Sequence, residues 1–93
     1  MTITDSTILS RNGEILYSPV GKEEAVMMSV EAGKYYGLNA VAARVWEILE
    51  QPMSVRDVCE RIAEEFDTDP KSCAGDVIRF ADDLVSHGIL NAA

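Results

Sequence analysis

The first third of the chain is built from short runs of alternating or β-prone residues, and the rest recurs at helical spacing. Thr7–Arg11, Glu14–Ser18, Glu24–Val30 and Lys34–Leu38 each read as a strand bounded by turn formers. Asn12-Gly13 sits between the first two runs. A type I′ turn needs positive φ at both central residues, so this dipeptide predicts a hairpin joining them. Pro19 is predicted to stop the second run, Gly21–Glu23 to form a loop, and Glu31-Ala32-Gly33 to turn the chain into Lys34–Leu38. Met27 and Met28 are neighbours in one strand, so one points inward and the other is left for an adaptable contact. The expectation is a small antiparallel sheet of three to four strands.

Asn39 then offers a side-chain oxygen to cap a helix over Ala40–Glu50. Val41, Val45, Ile48 and Leu49 form its stripe, and Pro52 ends it. Ser54 caps a second helix, with Asp57 three residues on, and Val55, Val58, Cys59, Ile62, Ala63 and Phe66 supply its apolar face. Asp69-Pro70 opens a third helix, with aspartate as the cap and proline at the first helical position. It runs to about His87. Gly88 closes it, and Ile89 and Leu90 are expected to fold back onto the core. The fold class is α+β: an N-terminal sheet followed by three helices, in winged helix-turn-helix order.

The third helix is apolar over an unusually wide arc. Cys73, Ala74, Val77, Ile78, Phe80, Ala81, Leu84 and Val85 together span roughly 160° at 100° per residue. A helix that only covers a core needs about 100° or somewhat more. One flank can therefore pack on the core while the other lines a groove, or both can be embedded between layers. The spacing does not say which flank is free.

Charge narrows the function. The 93 residues carry 16 acidic and 8 basic side chains, a net −8. Residues 54–87 alone hold nine acidic and four basic groups, a net −5. Phosphate backbones and anionic membrane surfaces repel such a surface, so a DNA-reading winged helix and a membrane-surface role are both disfavoured. The length fits one domain over 1–93, with residues 1–5 expected to fray. The N-terminus shows neither a basic patch nor an apolar signal core, so a cytoplasmic location is expected.

Catalytic chemistry finds no constellation. His87 is the one histidine, placed in the last turn of a helix where the dipole favours a cation. Cys59 and Cys73 fall in helical patterns and read as buried thiols; with His87 they match no zinc spacing. The Gly33–Gly37 segment lacks phosphate-loop spacing. Glu64-Glu65 and Asp82-Asp83 lie on polar helix faces. No enzyme activity, cofactor or metal is expected.

One segment carries more. Gly33-Lys34-Tyr35-Tyr36-Gly37-Leu38-Asn39, followed by Ala43, Val45, Trp46 and Leu49, is a short aromatic strand running straight into a helix. With the Ser54-Val55…Val58…Ile62 helix, the Asp69-Pro70 start and Val77…Leu84…Gly88-Ile89-Leu90, it resembles the PqqD-like family over residues 14 to 90. That family comprises RiPP recognition elements, and within it the chain is most similar to stand-alone B1 proteins of lasso-peptide biosynthesis. The true PqqD pattern has a Tyr-Pro-Glu-like segment where this chain has Met27-Met28-Ser29-Val30-Glu31. That departure points away from the PQQ-pathway protein itself and leaves other modified-peptide pathways open.

The resemblance implies a non-catalytic adaptor. A precursor's leader peptide adds as an antiparallel strand to Lys34, Tyr35, Tyr36, Gly37 and Leu38 and lies against the third helix. On that helix the implied contacts are Val77, Ile78, Phe80, Ala81, Leu84 and Val85, with Asp76, Arg79 and Asp83 at the rim. The implied partner is a transglutaminase-like leader peptidase of B2 type, or another modifying enzyme. Strand addition suits the residues: main-chain bonds give affinity and side-chain pockets give selectivity. Tyr35 and Tyr36 point to opposite faces, so only one can face the groove. An exposed strand edge can also pair with its own copy, giving a homodimer.

Overall fold

The computed structural model describes residues 3–12, 14–22 and 24–93, with Pro70 and Lys71 described by backbone alone. The elements in order are β1 (Ile8–Arg11), β2 (Ile15–Val20), β3 (Glu24–Ser29), β4 (Lys34–Leu38), α1 (Ala40–Ile48), β5 (Met53–Ser54), α2 (Val55–Glu65), α3 (Pro70–Ser86) and β6 (Leu90–Ala92). This is an α+β fold with antiparallel strands and three helices, compatible with a winged-helix arrangement.

The strands form two sheets, where the sequence suggested one. One sheet has the order β2-β3-β4 and is a meander. The other has the order β5-β1-β6, so β1 pairs with segments far away in sequence. The expected hairpin between the first two runs does not form. Gly13 lies outside the described residues, but Asn12 shows why β1 goes elsewhere. Its backbone N–H donates to the Ile89 carbonyl at 2.9 Å, and its side-chain amide donates to the Gly88 carbonyl at 3.0 Å. Leu9, fully buried, lies opposite Met53 on one side and Ala92 on the other. Burying such a side chain contributes roughly 1.5–3 kcal/mol.

Three further expectations change. Pro19 does not stop β2, because β2 is an edge strand, and such a strand tolerates a residue without an N–H. Residues 3–5 are docked: Ile3 is buried, and the Asp5 carbonyl accepts from the Arg56 N–H at 2.8 Å. Phe66 lies beyond the end of α2 and is 40% exposed, so it is not part of that helix's buried stripe.

The helix ends follow their local chemistry. Asn39 accepts from the Ala42 N–H at 2.9 Å and Ser54 from the Asp57 N–H at 3.1 Å, each satisfying a donor the helix cannot. Gly88 has φ +75° and ends α3 in a Schellman arrangement. The Gly88 N–H reaches the Val85 carbonyl at 3.1 Å and the Ile89 N–H the Leu84 carbonyl at 2.8 Å. Ile89 and Leu90 are thereby turned back into the core, where both are buried.

The core lies where α1 covers the inner face of the β2-β3-β4 sheet and continues between α2, α3 and the second sheet, which adds Leu9 and Leu90. Trp46 on α1 is at its edge, 3% exposed. Tyr17 of β2 lies 6.5 Å from it ring to ring, and the Arg11 guanidinium sits 4.5 Å above the ring while donating to the Trp46 carbonyl. Met27 of β3 is fully buried. Among the described residues no helix is long and apolar enough to cross a membrane.

Candidate functional site

An antiparallel sheet has two edges, and here they differ. β2 carries Pro19, which removes a donor from one edge. β4 closes the other side of the sheet with no proline in its five residues. The edges of the second sheet are β5 and β6, only two and three residues long. Alternate residues of an edge strand turn N–H and C=O groups away from their neighbour. Among the described residues no strand pairs with that side of β4.

The open edge runs beside α3. A cavity of ≈ 420 Å³ lies between them, lined by Tyr35, Tyr36, Gly37 and Leu38 of β4. Asn39 and Ala42 close it at the start of α1, and Phe80, Asp83 and Leu84 form the α3 wall. A second cavity, ≈ 370 Å³, lies between α1 and α3 and shares Asn39, Ala42 and Phe80 with the first. Val41 and Val45 of α1 and Asp76 and Val77 of α3 complete its lining. Together they make one groove, with Phe80 at the junction.

The free flank of α3 is now defined. Val77, Ala81 and Leu84 are buried in the core. Phe80 lies on one side of that line, while Ile78 and Val85 lie roughly 140–160° around the helix from it. Phe80, Asp76 and Asp83 are therefore on the groove side. Ile78 and Val85, also half-buried, are on the far flank and line neither cavity. Ala81 is wholly buried and Arg79 is exposed in an ion pair with Asp76. Lys34 sits at the start of β4, opposite Ser29.

The two tyrosines separate. Tyr36 is half-buried on the inner face, and its ring packs T-shaped with that of His87, 5.6 Å between centroids. Tyr35 is on the outer face and 72% exposed. His87 is in turn held by Asp83: its Nδ1 is 2.8 Å from the Asp83 carbonyl and 3.5 Å from the carboxylate. The chain Tyr36–His87–Asp83 ties the inner face of β4 to the end of α3. Sequence reasoning missed the α1 wall. Val41 and Val45 read as core stripe, and only the small side chain of Ala42 hinted at space beside it.

Outside the groove, α1 carries a polar network. Tyr17 donates its hydroxyl to Glu47 at 2.7 Å, and Arg44 bridges Glu47 at 3.2 Å and Glu65 at 2.5 Å. Burial and the Glu47 bond push the Tyr17 hydroxyl up to about 12, while that same bond, aided by Arg44, holds the Glu47 carboxyl below its usual range. Cys59 and Cys73 are buried thiols, and burial, with Cys73 beside it, pushes Cys59 up to about 12. A thiol so held is a poor nucleophile at neutral pH. Among the described residues no group of three His, Cys, Asp or Glu side chains is placed to hold a metal ion.

What this arrangement offers is an unpaired strand edge beside an apolar groove, which are the two halves of a strand-addition receptor. The sequence profile of the coenzyme PQQ synthesis protein D (PqqD) family matches residues 24–90, from β3 through the start of β6. No curated protein matches the chain. Two solved structures share its fold. TbiB1, solved in complex with the TbiA(beta) leader peptide, is 24% identical with a TM-score of 0.72, covering 98% of this chain and 95% of that one. The second is the PqqD truncation of Methylobacterium extorquens PqqCD, described as a functional and stand-alone RiPP recognition element. It is 17% identical, again at a TM-score of 0.72, over 97% of this chain and 95% of that one.

Proposed function

The chain belongs to the PqqD family, and from that premise we propose that it is a non-catalytic adaptor that captures the leader peptide of a ribosomally made precursor. The carrying observation is the unpaired β4 edge lying along the groove walled by Phe80, Asp83 and Leu84. The leader adds antiparallel to Lys34–Leu38. Main-chain hydrogen bonds to the strand are indifferent to leader sequence, and alternate leader side chains turn toward α3. Tyr36, Phe80 and the α1–α3 cavity take apolar side chains there, while Asp76 and Asp83 border the wet rim. TbiB1, of the same fold, was solved with a leader peptide, which supports this use of the scaffold.

The adaptor then presents the precursor to an enzyme that cuts or modifies it. The sequence resemblance at Gly33–Asn39 favours a lasso-peptide pathway and a leader peptidase of B2 type in the cytoplasm. The family match itself favours a second home, a PqqD-type peptide chaperone in the PQQ or a related pathway. Titrating the purified protein with leader peptides from precursors encoded beside it decides between them. Binding of a lasso precursor's leader supports the first home, and binding of a PQQ precursor supports the second. Failure of every leader at hundreds of micromolar overturns the adaptor reading.

A further inference from the structure

Gly37 stands within the open edge strand, and nothing among the described residues requires a glycine there. Its φ is outside the left-handed region, unlike those of Gly21, Gly33 and Gly88. A Cβ at this position would meet no described atom within 4 Å. Glycine inside a strand weakens it. Where neither backbone nor packing requires one, it marks a place where a ligand or another backbone comes close.

Hydrogen-bond parity shows what comes close. The Val30 N–H donates to the Glu14 carbonyl at 3.2 Å, which turns the backbone groups of Val30, Met28, Val26 and Glu24 toward β2. Ala25, Met27 and Ser29 therefore bond toward β4, through their partners Leu38, Tyr36 and Lys34. That leaves the N–H and C=O groups of Tyr35 and Gly37 pointing out of the sheet. A strand added to this edge bonds at those two residues. The guest residue opposite Gly37 turns its side chain to the outer face, the face of Tyr35.

On that face the row Ser18–Val26–Gly37 is low, since Val26 is half-buried and Gly37 has no side chain. A cavity of ≈ 320 Å³ lies there, lined by Val26 and Gly37, by Val20 and Glu24 of the next row, and by Asn39 at its end. Reach selects its occupant. Neighbouring strands are about 4.8 Å apart, so the Val26 backbone lies roughly 10 Å from that of the guest. A short aliphatic side chain opposite Gly37 stops before it. An aromatic ring crosses the bare glycine and packs on Val26, an aromatic–β-branched pairing that sheets favour. We propose that Gly37 determines specificity for the peptide: it holds open a subsite on the outer face that takes one aromatic side chain of the leader. The residues on either side of that aromatic, opposite Tyr36 and Leu38, enter the groove. The inference rests on the adaptor reading above and extends it to a class of leader, one with apolar side chains on both faces of the bound strand.

The test titrates the full chain with the leader of the precursor encoded beside it and with an alanine scan of that leader. Gly37→Ala and Gly37→Val fill the subsite with one methyl and with three carbons. Gly37→Ala should raise the urea midpoint of the free protein, because it removes freedom from the unfolded chain and meets open space in the folded one. It should nonetheless weaken leader binding about threefold, and Gly37→Val about tenfold. One aromatic leader residue should lose about tenfold in affinity on replacement by alanine, and against that leader Gly37→Val should cost less than about twofold. Leader affinity that Gly37→Val leaves within about twofold overturns the subsite and leaves the adaptor reading intact. A loss on Gly37→Val that is equal for every alanine variant of the leader assigns the glycine to backbone approach alone and also overturns the subsite. A lowered urea midpoint in Gly37→Ala shows that the fold itself needs the glycine, which overturns it too. Absence of leader binding by the unsubstituted protein overturns both readings at once.

Discussion

The Tyr36 and His87 rings pack T-shaped with centroids 5.6 Å apart, so the inner face of the open strand is fastened to the end of the third helix. Tyr36 lines the cavity between β4 and α3, and Asn39 lies where that cavity meets the one between α1 and α3. Tyr36→Ala should cost about 1–2 kcal/mol of stability, as expected for truncating a half-buried aromatic. Tyr35→Ala should stay within about 0.5 kcal/mol, since its ring is in water. Urea unfolding of the two variants compares them directly.

Phe80 is the side chain common to both cavities. Phe80→Ala should weaken leader binding about tenfold or more, while Glu64→Lys, on the exposed face of α2, should change it by less than about twofold. Fluorescence titration with a labelled leader measures both. Leu84 is a poor probe of the same wall. It is 2% exposed, so a charge there would act through unfolding.

Much of this site was legible in the chain, and its limits have physical causes. Asn39, Ser54 and Gly88 announced helix ends because capping is local chemistry, satisfied within three to five residues. Lys34–Leu38 was recognisable for the same reason. The β5-β1-β6 sheet was not. Met53–Ser54 and Leu90–Ala92 are too short to show a period, and their pairing with β1 spans most of the chain. The Asn12-Gly13 signal was a correct local preference overridden by the bonds Asn12 makes to Gly88 and Ile89. The arc of α3 was readable, but not its neighbours. Only packing shows that Phe80 faces β4 and α1 while Ile78 and Val85 face away.

Asn39 caps α1 and also lines both cavities. Asn39→Ala should cost about 1 kcal/mol, and Asn39→Asp, which keeps an acceptor at the cap, should recover most of it. Thermal unfolding followed by circular dichroism checks the pair.

Alkaline pH should destabilise the fold in a defined window. Tyr17 and Cys59 are both raised to about 12 in the folded chain. In the unfolded chain they ionise near their ordinary values, about 10 and about 8.5. A raised pKa contributes stability that is fully present below the unfolded value and lost as pH rises through the folded one. Stability should therefore fall from roughly pH 8.5 to pH 12. Tyr17→Phe should remove about half of the slope between roughly pH 10 and pH 12 and leave the share of Cys59. Glu47 acts in the opposite range: its lowered pKa contributes stability above the usual carboxylate value, lost as pH falls through the folded one. Chemical denaturation across the pH range measures both limbs.

On the proposed function, a leader peptide becomes the fourth strand of the β2-β3-β4 sheet. Amide hydrogen exchange with and without leader tests it most directly, since a new strand shields outward N–H groups. Protection should be gained at alternate residues of Lys34–Leu38, with little change along Ile15–Val20. Leader binding that leaves Lys34–Leu38 exchanging as before, or that protects β2 instead, would contradict it.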